Sequence, residues 1–165
     1  MKNIHIVPTD KPSRLHLAYD KNYYLSVEPF IQLDTKNYKS FNIYITSDEE
    51  IKEGDWILNP TNEVQNCIGL EKGIGTDNIC WVKVKETTTL QQILNSQKII
   101  LTTDQDLIKN GVQAIDDDFL EWFVKNPSCE EVKVENEKYI LQHLFKAQEY
   151  KFRYKIIIPK EDNLV

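Results

Sequence analysis

Up to residue 104 the chain is a succession of short apolar runs, rich in aromatic and β-branched residues and broken every few positions by turn formers. Asn3–Val7, Tyr23–Val27, Phe41–Ile45, Trp56–Leu58, Val64–Leu70, Ile79–Val84 and Lys98–Leu101 each have the length and residue types of a half-buried strand. Consecutive strands joined by short turns are antiparallel neighbours. Val64–Leu70 and Ile79–Val84 form the clearest pair, with Gly73 and Gly75 supplying the turn between them. Such a chain cannot alternate strands and helices into a doubly wound sheet.

After residue 104 the pattern changes. Asp116–Asn126 reads as a helix. Asp116 or Asp117 caps it, acids fill its first turn, and Phe119, Leu120 and Phe123 recur at helical spacing before Pro127 stops it. Thr88–Leu94 and Glu137–Tyr150 carry weaker helical patterns, while Glu131–Glu135 and Phe152–Ile158 read as strands. Ile45-Thr46-Ser47-Asp48 echoes Leu101-Thr102-Thr103-Asp104, and each predicts a strand end capped by a hydroxyl or acid. The expected fold is α+β: a strongly bent antiparallel sheet or small partial β-barrel, with one helix over about 116–126 packed on it. Nothing in the sequence divides residues 1–165 into more than a single domain.

The formal net charge is −6, unevenly spread: residues 1–46 and 138–165 are mildly basic, whereas 104–137 hold ten acids against three bases. That balance disfavours a nucleic-acid partner, which needs a basic face. No apolar run is long enough to span a membrane, and Met1–His5 has no signal-peptide character. Cys67, Cys80 and Cys129 lack paired-ligand spacing, so no structural metal is expected, and they read as reduced thiols of a cytoplasmic protein. No cofactor motif is present: Glu71-Lys72-Gly73-Ile74-Gly75-Thr76 fits neither a P-loop nor a dinucleotide fingerprint.

Three stretches, NIHIVPTDKPSRL from Asn3, NIYITSDEEIKEGDW from Asn42 and KIILTTDQDLIKNGVQAIDDDFLEWFVKNPSCEEV from Lys98, together with the closing YKIIIPK, resemble a large family of uncharacterised proteins carried by bacteriophages and by phage-derived bacterial segments. The resemblance implies a protein acting in the cytoplasm of a bacterial host. It implies no reaction.

Among the polar constellations, the loop Thr9–Arg14 stands out. Lys11, Ser13 and Arg14, on a turn stiffened by Pro8 and Pro12, have the donors to hold a phosphate or carboxylate. The competing reading is a solvated turn whose charges pair internally. Trp122, beside the apolar stripe of the helix, is the aromatic best placed to meet a partner. No catalytic set can be assembled, since no histidine has an identifiable nucleophile and tautomer-fixing partner. The expectation is therefore a non-catalytic binding module of phage type. Its ligand would be a small anion, such as a host defence signalling nucleotide, or a host protein. Two alternatives remain. One is a metal-dependent enzyme acting on nucleotides or nucleic acid through Asp104, Asp106 and Asp116–Asp118; the other is a virion structural or cargo protein.

Overall fold

A computed structural model describes residues 2–72, 78–84, 87–92, 95–141 and 149–159, with side chains described at 2–70, 95–138 and 152–159. The strands are β1 (Ile4–Pro8), β2 (Ser13–Ala18), β3 (Tyr23–Phe30), β4 (Tyr38–Ser47), β5 (Trp56–Leu58), β6 (Val64–Lys72), β7 (Asn78–Val84), β8 (Thr87–Gln92), β9 (Gln97–Thr102), β10 (Gln113–Ala114), β11 (Lys133–Leu141) and β12 (Glu149–Ile157). Two helices, α1 (Gln105–Lys109) and α2 (Asp117–Lys125), follow β9 and β10.

The molecule is mostly antiparallel sheet. Ten strands share one sheet in the order β3-β2-β4-β9-β5-β6-β7-β8, with β1 added on β4 and β10 parallel to β9. The central strand is β4. Phe41 is paired with both Pro8 and Leu15, and Ile45 with both Ile4 and Leu101. Strands β2 and β9 therefore lie end to end on the side of β4 opposite β1, and from them two wings diverge. One is the short β2–β3 hairpin; the other runs through β9 to β8. The path is open, with β3 and β8 at its ends, so the sheet is not closed into the small barrel that the sequence suggests as one option. Splitting along β4, with register shifts between Ile45 and Thr46 and between Ser13 and Leu15, bends the sheet without returning its last strand to its first.

The core forms where α2 crosses β4. Ile43 and Ile45 of β4, Leu15 of β2, Ile4 of β1 and Leu101 of β9 meet Phe119, Leu120 and Phe123 of α2 in one buried cluster. Asp116 caps the helix as expected, its side chain accepting from the Phe119 amide at 2.8 Å. The β11–β12 hairpin is a separate two-stranded sheet, yet Val132 and Ile156 close the same cluster. On the other face of β4, Tyr44 packs with Leu58, Ile99 and Leu107. Both faces of β4 are covered, which is why it is buried almost continuously from Ser40 to Thr46.

Several elements depart from the sequence reading. Residues 88–92 belong to strand β8, not a helix, and the run Thr87–Thr89 at its start suits a pleated surface better than a helical turn. The expected helix over Glu137–Tyr150 gives way to strand in the described parts of 137–150, where β11 and β12 pair from Lys133↔Ile157 to Leu141↔Glu149. Long-range pairing overrides the local propensity there. Of the two echoing segments, only the second starts a helix: Asp104 caps α1 through the Asp106 amide, whereas residues 48–55 form loop and turn. Cys67 is fully buried and disulfide-bonded, contrary to the expectation of three free thiols; its partner lies outside the described side chains. The turn at Gly73 and Gly75 also lies outside the described residues.

Candidate functional site

The Pro-rich loop turns directly into β2, and this fixes the three polar residues singled out above. Lys11 Nζ lies 2.6 Å from an oxygen of Asp106, at the start of α1. The hydrogen bond raises the Lys11 ammonium and lowers the Asp106 carboxyl from their ordinary ranges. Arg14 reaches the other helix: Nη1 lies 2.8 Å from Asp117 while Nε donates to the Ser26 carbonyl at 2.9 Å. Ser13 is wholly buried, its hydroxyl donating to the Phe41 carbonyl and accepting from the Leu15 amide. Lys11 and Arg14 thus pin two helix starts to the sheet, and Ser13 holds the β2–β4 register. An anion at this loop would have to share each cation with a carboxylate that already holds it. Trp122 is half-buried, its ring 5.8 Å from that of Phe119 against the core.

Four of the five acids of the alternative metal reading, all but Asp118, are also engaged, Asp106 by Lys11. Asp104 accepts from the Tyr44 hydroxyl at 2.6 Å and from the Asp106 amide; Asp116 caps α2; Asp117 holds Arg14. Among the described residues, no three His, Cys, Asp or Glu side chains are grouped to hold a metal ion.

What sequence reasoning missed lies on β3. This strand pairs with β2 alone and leaves its other edge unpaired among the described residues. From Tyr19 to Leu33, six large hydrophobic residues face solvent: Tyr19, Tyr24, Val27, Phe30, Ile31 and Leu33, with Val27 at 85% and Leu33 at 93% exposure. They follow one another along the turn before the edge strand, the strand itself and the loop after it, with Val27 toward α2 and Phe30 against His16; this stretch is called the β3 strip. At its end, Ile31 lines a shallow cavity of about 570 Å³, with Pro8, Thr9, Asp10 and Tyr38 on the opposite wall. On the α2 side, Val27 borders a second hollow of about 340 Å³ with Arg14 and Val124. Pro29 keeps the edge from offering a complete row of amide donors. The sequence signal was an apolar run, Val27-Glu28-Pro29-Phe30-Ile31-Gln32-Leu33, with neither strand alternation nor helical spacing.

Beneath the strip sits a buried polar pair. His16 of β2 and Ser40 of β4 are register partners, with His16 Nδ1 3.0 Å from Ser40 Oγ. The Phe30 ring stacks on the imidazole at 4.2 Å between centroids. His16 is 3% exposed and its Nε2 has no hydrogen-bond partner. Burial lowers its pKa from the ordinary value, so the ring is neutral at pH 7.

On the far side of the molecule, the Tyr154 side chain separates two adjoining hollows of about 200 and 390 Å³ between the main sheet and the β11–β12 hairpin. Its hydroxyl donates to Glu49, with oxygens at 2.9 and 3.1 Å, and burial followed by the Glu49 bond pushes its pKa up to about 12. Gln113 fixes its backbone reciprocally, at 2.8 Å in each direction. Lys98 sits between Glu49 and Asp55 at 3.4 and 3.6 Å.

Comparison of the chain with models of protein families, with curated proteins and with solved structures finds no match.

Proposed function

We propose that the chain is a non-catalytic binding module whose partner is another protein, and that the strip from Tyr19 to Leu33 is its contact surface. The observation that carries this reading is the concentration of six exposed large hydrophobic residues within fifteen positions on one edge strand and the turn and loop that flank it. Exposed apolar surface in one place is costly for a soluble chain and marks contact surfaces. The occupant that fits is an extended apolar segment: side chains enter the hollows beside Val27 and Ile31 while its backbone runs along β3. The resemblance of the quoted segments to phage-carried proteins favours a partner inside a bacterial host cell. A small-anion ligand at Lys11, Ser13 and Arg14 has less support, because both cations already hold carboxylates.

The test is affinity capture from host-cell extract followed by lysine cross-linking, with the wild type beside a Val27→Asp/Leu33→Asp double variant. Lys21, Lys36 and Lys39 border the strip; Lys109 and Lys133 do not. The reading expects partner cross-links from the first group and loss of capture in the double variant. Cross-links confined to the second group, or capture that survives both substitutions, would overturn it. So would failure of the wild type to retain any protein that the double variant does not.

A further inference from the structure

The larger hollow beside Tyr154 has the make-up of a small-molecule site and is remote in sequence from the β3 strip. Its volume of about 390 Å³ lies within the range of ligand cavities, and it adjoins the second hollow, with Ile100, Asn136 and Tyr154 common to both. Three aromatic side chains line it: Trp56 from β5, and Phe152 and Tyr154 from β12. Phe152 is 70% exposed at this position, an aromatic face turned to solvent beside a cavity. Amides come from Asn110, at the end of α1, and Asn136, on β11. Asn110 donates to the Asp106 carbonyl, which leaves its oxygen as an acceptor. The Asn136 side chain makes no hydrogen bond among the described residues.

The charges decide the class of ligand. Lys98 is held between Glu49 and Asp55, and Arg153 Nε donates to Glu137 at 3.0 Å. A phosphate would meet cations whose charge neighbouring carboxylates already balance. A cationic ligand would meet the cations themselves. A flat, uncharged ring with donors and acceptors on its edge disturbs none of these pairs: its faces can meet the aromatic walls and its edge the two asparagines. We propose that this cleft binds a neutral planar nitrogen heterocycle, a free base or its nucleoside, in preference to the corresponding nucleotide. The β3 strip and this cleft share no residue, so the two proposals stand or fall separately.

Titration calorimetry of the whole chain tests this with adenosine, guanosine, cytidine and uridine, with adenine as the free base and with adenosine monophosphate as the charged counterpart. At least one nucleoside or adenine should bind saturably, and the monophosphate should bind no tighter than adenosine. Phe152→Ala, at an exposed position, should weaken that binding by roughly tenfold, in keeping with loss of one stacking face. Asn136→Ala should weaken it less and change the preference among bases. No saturable binding to any of the five uncharged compounds would overturn the proposal. So would a monophosphate that binds tenfold tighter than adenosine, or wild-type affinity in both variants.

Discussion

Helix α2 and strand β3 carry comparable apolar loads and use them in opposite ways. In α2, Phe119, Leu120 and Phe123 are at most 1% exposed, packed against β4 and β2. In β3 and its loop, Val27, Ile31 and Leu33 are more than half exposed, although Tyr23 and Leu25 of the same strand reach the core cluster. The difference is one of available partners within the chain. The helix has a spacing that turns one face toward a sheet with a matching face. The strand lies at the end of a two-stranded wing, and beyond Ser26 only Phe30, stacked on His16, finds a close apolar or aromatic partner, while Val27 and Ile31 border open hollows. An apolar residue is thus stabilising or available for contact according to position, with no difference in chemistry.

The sharpest way to break this contrast is to truncate both sides. Phe123→Ala should cost about 3–5 kcal/mol in urea denaturation, the usual loss for a fully buried phenylalanine, whereas Leu33→Ala should stay within about 0.5 kcal/mol. Similar losses for both would mean that the strip belongs to the core. Removing the helix cap comes next: Asp116→Ala leaves the Phe119 amide without its acceptor and should cost about 1 kcal/mol.

Acid should separate the two regions further. His16 lies under the strip, with a folded-state pKa below its unfolded value, so its contribution to stability is complete above about pH 6.5. That contribution is lost as pH falls through the lowered folded pKa, because the unfolded chain binds the proton more readily. His5 shifts the same way, through burial and the nearby Lys2. His16→Gln should therefore flatten, without abolishing, the decline of the urea midpoint between pH 7.5 and pH 5. An unchanged decline would show that the buried imidazole is not what acid attacks. The smallest effect is expected at Lys11→Ala, which removes an exposed ion pair and should change stability by less than about 1 kcal/mol.

The sequence makes local features legible and distant ones opaque. The cap at Asp116, the buried stripe of α2, the β6–β7 hairpin and the strand at Trp56–Leu58 all follow from spacing within a dozen residues. Strand β2 was hidden because its Ser13-Arg14-Leu15-His16 start reads as the tail of a proline-rich loop. Strand β8 and the part of β11 beyond Glu135 were hidden because pairing, not propensity, decides them. At the loop, Lys11 and Arg14 looked available for a ligand because their carboxylate partners lie 95 and 103 residues away, beyond any local pattern. The strip was legible only as an apolar stretch that fits no period, and its meaning depends on β3 standing at the end of the sheet.

Hydrogen exchange on the protein alone and with its captured partner tests the central claim most directly. Amides between residues 19 and 39 should gain protection on binding while those of β9, paired on both sides within the sheet, stay unchanged. Protection gained elsewhere, with none between 19 and 39, would contradict the assignment of the β3 strip as the contact surface.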